Sequence, residues 1–230
     1  QWMKDEYVPV TSFIHTRSFD NYRRIYQAYQ TPTDFYADTY DMDLRLGGDS
    51  IYDKTRHYSL KNTLAIAMLE GFNKWAKAGL KIFATSELRH FSLPAPTMGT
   101  DSYNEHNLSI GAQMNKTQGS FRFNATAEAT LTGTDAGQLK LNGQTDLRLP
   151  LLGDTLKIDA KAGMERLVPT FYYRHYHSRH LWWDKTLDKE TRANLEGVLT
   201  FSRTKTRLRV AFSDIKNYAY FAQRYTITEG

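Results

Sequence analysis

Between Gly119 and Met164 apolar and polar residues alternate in three consecutive segments. Phe121, Phe123, Ala125, Ala127, Ala129 and Leu131 interleave with Arg122, Asn124, Thr126, Glu128 and Thr130. After GTDAG the alternation resumes as Leu139, Leu141, Gly143, Thr145, Leu147 and Leu149 against Lys140, Asn142, Gln144, Asp146 and Arg148. After LLGD it resumes again as Leu156, Ile158, Ala160, Ala162 and Met164 against Lys157, Asp159 and Lys161. Period two places each set on its own face of a strand, and short breaks make an antiparallel meander. Each segment is about ten residues, long for an ordinary strand and suited to a tilted strand crossing a bilayer.

The same pattern predicts strands at 7–15, 57–70, 75–85, 103–115, 191–201 and 206–212, about nine in all. Turns at 71–74, 116–119, 151–154 and 202–205 are short. The alternate connections, 16–56, 86–102 and 165–190, are long, and 132–137 alone is compact. Alternate connections of a meander lie at one end, so this parity predicts short turns at one rim and large external loops at the other, as in outer-membrane barrels. The predicted fold is all-β: an antiparallel up-and-down transmembrane β-barrel, with 1–230 a single barrel segment. The odd strand count points to part of a larger barrel, because bacterial barrels have even numbers.

On the clearest strands the apolar set carries no charge, as lipid contact requires. Aromatics gather near strand ends: Phe72, Phe121, Phe123 and Phe201 by the short turns, Tyr172, Tyr173, Trp182 and Trp183 toward the long connections. Interfacial girdles place aromatics this way.

Composition alters this picture little. Charged residues make up 24% of the chain and mean hydropathy is −0.59, values of a soluble protein unless polar side chains line a barrel. No apolar run approaches the ~18 residues of a membrane helix, so a spanning structure must be a closed barrel. Cysteine is absent, removing disulfides and thiolate metal sites. No apolar signal segment opens the sequence, the expectation for a mature chain or an internal piece. The net charge of +5 is modest and no basic helix clusters, so nucleic acid is not an expected partner.

The stretches VPVTSFIHT (8–16), RRIYQAY (23–29), FYYRHYHSRHLWWD (171–184) and LEGVLTFSRTKTRLRVAFSDIKNYAYF (195–221) resemble the putative porin family of Bacteroidetes outer membranes. The resemblance implies an outer-membrane β-barrel that passes small solutes, and a protein longer than this chain. It supplies no catalytic motif.

The expected site is therefore a pore. Its lining is the set opposite the apolar one: Lys61, Lys77, Lys81, Arg122, Lys140, Arg148, Lys157, Lys161, Arg192, Arg207 and Arg209, with Glu128, Asp146, Asp159 and Glu196. The basic excess predicts a weak anion preference. Expected partners are outer-membrane lipid and small hydrophilic solutes, with no cofactor. HYHSRH (His175, His177, His180) has strand spacing for metal ligands, but Arg174 and Arg179 would repel a cation, so loop or headgroup contacts are expected instead. YDMDLRLGGD lacks the ligand order of a calcium loop. No GxSxG, HExxH or phosphate loop occurs, so no enzyme is expected. A non-channel barrel, plugged, structural or export-associated, is the alternative function. A soluble β-protein holding a lipid-like ligand in an inward apolar face is the third.

Overall fold

The computed structural model describes residues 11–29, 51–68, 78–95, 99–151, 153–178, 182–221 and 227–229. One antiparallel sheet of nine strands dominates. In sheet order these are β1 (Thr11–Ala28), β2 (Ile51–Met68), β3 (Gly79–Pro94), β4 (Thr100–Gln118), β5 (Phe121–Thr132), β6 (Leu139–Leu151), β7 (Asp154–Leu167), β10 (Glu190–Phe201) and β11 (Thr206–Lys216). Sequential neighbours pair throughout, the meander that the alternation predicts. The sheet is not closed: β1 and β11 are its edges. Inserted before β10 are α1 (Phe171–Arg174), β8 (His175–His177) and β9 (Trp182–Asp184); β12 (Ala219–Phe221) pairs with β13 (Ile227–Glu229).

The central strands match the expected spans closely, whereas strands at the long-connection end run further than the sequence reading. Residues 16–28 and 51–56, expected within a loop over 16–56, are strand and pair residue for residue. Most of the expected loop 86–102 is also strand, with β3 and β4 paired from Gly79↔Asn115 to Pro94↔Thr100. In the 165–190 connection, β7 reaches Leu167 and the rest contains α1, β8 and β9. The short turn 71–74 and the stretch 40–49 lie outside the described residues.

Cross-strand partners share a face, so the register sorts every side chain. One face carries rows such as Met114, Ala125, Gly143, Ala162, Leu195 and Phe212. Its large apolar side chains are exposed, among them Ile82 at 55%, Leu195 at 56% and Val210 at 66%. The described residues place no second layer over it. The apolar band crosses the pairing rows obliquely. Its upper limit is Leu108 on β4, Leu139 on β6, Met164 on β7, Ala193 on β10 and Phe212 on β11, with His106, Arg166, Thr191 and Asp214 beyond. Phe212 shares a row with Met114, so the limit shifts six residues, from 108 to 114, over five strand steps. With about 3.3 Å per residue and about 4.8 Å per step, the slant is roughly 40°.

Candidate functional site

The opposite face is polar. Lys61, Lys81, Arg122, Glu128, Lys140, Asp146, Arg148, Lys157, Asp159, Lys161, Arg192, Glu196, Arg207 and Arg209 all lie on it by register. Lys77 lies outside the described residues. Strand alternation is what brings them together: each sits one residue from an apolar position of the other face.

Most of these charges stay apart. Arg209 Nη2 donates to Glu196 Oε2 at 2.8 Å, and Arg192 pairs with Glu190. Across the middle, hydroxyls meet on neighbouring strands: Thr63 and Thr85 Oγ1 at 2.9 Å, Ser109 Oγ and Thr130 Oγ1 at 2.9 Å. Such pairs support a sheet without apolar packing.

Toward the long-connection end the polar face is covered. Phe171 of α1 stacks on Phe91 with ring centroids 3.6 Å apart and meets Tyr103 edge-on at 5.3 Å. Phe91, fully buried Leu93 and Phe171 form a small core. Phe91 and Tyr103 are opposite partners on β3 and β4, and His57 on β2 stacks on Phe91 at 4.3 Å. The connection after β7 therefore folds back onto this face. Tyr172, Tyr173, Trp182 and Trp183, expected in an interfacial girdle, belong to this folded connection. Trp183 packs with Ala219 and Tyr173, and its Nε1–H donates to the Tyr173 carbonyl at 3.1 Å. Phe121, Phe123 and Phe201 do lie on the apolar face near the short turns; Phe72 is outside the described residues.

A buried ionic network clamps the connection. Arg174 Nη2 donates to Glu105 Oε1 at 2.7 Å, and Arg89 Nη2 reaches Glu105 Oε2 at 2.8 Å and Asp135 Oδ2 at 2.6 Å. Asn107 donates to Asp135 Oδ2 at 3.2 Å and accepts the Asp135 N–H at 2.9 Å. Burial pushes the Asp135 carboxyl above its usual range, against the pull of Arg89. Arg24 on β1 donates to Tyr176 Oη at 2.6 Å. The tight turn carrying Asp135 needs Gly133, whose φ is 99° and whose missing Cβ would strike the His106 carbonyl oxygen. None of this network follows from periodicity. Glu105 and Arg89 are far apart in sequence and become partners through the β3–β4 register alone.

His175 and His177 of HYHSRH converge on one carboxylate. His175 Nδ1 lies 2.7 Å from Asp184 Oδ1 and His177 Nε2 lies 2.9 Å from Asp184 Oδ2. His177 is buried and stacks on Trp182 at 3.8 Å. Burial opposes ionisation of Asp184, but the hydrogen bonds from His175 and His177 outweigh it and hold its carboxyl below the usual range. His180 lies outside the described residues.

The geometry is that of a tall wall with one apolar face, one charged face, and a folded segment narrowing one end of the charged side. A sequence-family model described as "Putative porin" matches residues 2–228. No curated protein and no solved structure matches the chain.

Proposed function

Because the chain belongs to the putative porin family, we propose that it forms the wall of an outer-membrane channel for passive, non-enzymatic diffusion of small hydrophilic solutes, in a Bacteroidetes envelope. The observation carrying this is the slanted apolar band. A slab of lipid is horizontal, so a band inclined by roughly 40° to the pairing rows is what strands tilted by the same angle expose to it. Barrel strands in outer membranes tilt by about 35–45°. An exposed apolar face of this extent is unsustainable in water and ordinary in lipid. This also argues against the soluble lipid-binding reading, whose apolar face would point inward.

The polar face then lines water. Its charges lie mostly unpaired among the described residues, and like charges sit opposite one another, as solvation permits. The basic excess gives the channel a weak anion preference. One observation favours the second reading, a plugged barrel: the connection after β7 lies against the lumen face, held by Glu105. A clamped segment on one wall narrows the path. Conductance of the full-length protein in a planar bilayer separates the two. Steady ohmic current with graded solute exclusion supports the channel; silence in correctly folded protein supports the plug.

A further inference from the structure

Sorting the polar face row by row shows where its basic excess resides. Glu128, Lys140, Glu165 and Arg192 lie opposite one another on four neighbouring strands and cancel. Lys161 faces Glu196 and cancels. Arg122, Asp146, Asp159 and Arg209 share one row and cancel. The last charged row before the short turns does not cancel. Arg148 lies opposite Lys157, Lys157 opposite Thr200, and Thr200 opposite Arg207. This row carries three positive charges and no carboxylate. Among the described strands no other row of the face exceeds one unit of net charge. Elsewhere on the face Arg89 is tied to Glu105 and Asp135, Arg192 to Glu190 and Arg209 to Glu196. Lys61, Lys140 and Lys161 stand opposite carboxylates, and Lys81 is a single charge opposite Gln113.

Folding gives no reason for this row. Like charges directly opposite on paired strands are destabilising, and among the described residues no ion pair relieves Arg148, Lys157 or Arg207. The carboxylates one row above, Asp146 and Asp159, share that row with Arg122 and with Arg209, which is bound to Glu196. Lys81 on β3 and Arg122 on β5 stand toward the same rim on the same face, and beyond the row, at the turn, Asp154 lies opposite Leu151, on the other face by register.

We propose that Arg148, Lys157 and Arg207 form an anion filter at the short-turn rim, and that these three residues, rather than the basic face as a whole, set selectivity. The inference rests on the channel reading above. Its ligands are small anions, recognised by charge. Three cations within neighbouring strands raise local anion concentration, over a range of about 8 Å at physiological salt. The filter therefore acts at one end of the path, on solutes entering or leaving past the short turns.

The test is reversal potential across a potassium chloride gradient in planar bilayers, using the full-length protein. The probes are R148Q/K157Q/R207Q and the charge-balanced control K161Q/E196Q. Removing mutually repelling charges leaves the sheet intact, which strand content by circular dichroism verifies. The unmodified protein and the control share one anion-selective potential; the triple variant falls toward zero, and R148E/K157E/R207E crosses to the cation side. Inorganic phosphate added at the short-turn side reduces chloride current in the unmodified protein and loses that effect in the triple variant. Selectivity unchanged in the triple variant, with current intact, overturns the filter alone. Folded protein that passes no current overturns the channel reading and the filter with it.

Discussion

Replacing Glu105 by Gln should release the connection after β7 from the wall. The Glu105 side chain is 6% exposed and receives Arg174, 11% exposed, and Arg89, 19% exposed. The substitution keeps shape and removes the charge, leaving Arg174 buried without its counter-ion while Arg89 retains Asp135. Breaking one partner of a buried pair costs roughly 3–5 kcal/mol. Because Arg89 keeps a carboxylate, the lower limit applies, about 3 kcal/mol. At about 1.36 kcal/mol per decade, the equilibrium for detaching the segment rises by roughly two orders of magnitude. The loss is local, since the paired strands do not depend on this contact. It is read by hydrogen exchange of amides 168–178 and by tryptic cleavage after Arg174, with strand content as the fold control. A cycle with Arg174→Met isolates the pair. Equal protection in E105Q and the unmodified protein, or additive effects in the cycle, would show that Glu105 does not hold the segment.

Three further outcomes follow from the same geometry. Leu141→Arg, on the apolar face, costs roughly 2–4 kcal/mol near the bilayer midplane, whereas Asn142→Arg costs much less; equal losses on refolding into bilayers contradict the orientation. A cysteine placed at Lys185 is labelled by an impermeant reagent on intact cells; labelling that needs outer-membrane permeabilisation puts this connection on the other side. The Asp184 carboxyl is held low by its histidines, so its contribution is present above the unfolded value of about 3.9 and is lost as pH falls through the lower folded value. Asp184→Asn should therefore loosen 175–184 at neutral pH and flatten the acid-induced loss of exchange protection there; a variant with the unmodified pH profile refutes this.

Alternation made the part of the sheet at the apolar band legible, from Phe121 to Met164 nearly residue for residue. It failed at 16–28, 51–56 and 86–94 for a physical reason. Alternation appears where one face must be apolar. Above the band neither face is apolar throughout, so Arg17, Asn21 and Arg23 stand on the same face as Phe13 and the period disappears while backbone pairing continues. The charged face was legible because its residues lie opposite the band. The clamp at Glu105 was not, since a buried charge in a polar strand reads as a solvated one until the register supplies its partners. The aromatics of 171–183 carried a signal of burial, but their composition suits a lipid interface equally well as a packed segment.

The wall is not of even height. β4 continues from Leu108 to Thr100, and β1, β2 and β3 rise beside it, whereas β5 and β6 join directly above the band through 133–138. Eight further residues add about 26 Å along the strand at about 3.3 Å each, or roughly 20 Å of height at the inferred tilt. In a membrane the opening is thus bevelled like a quill, with β1–β4 as its long side and the connection after β7 leaning on that side. On the channel reading proposed above, the low side at β5–β7 is the open approach to the lumen face, and capture of a solute there depends on direction.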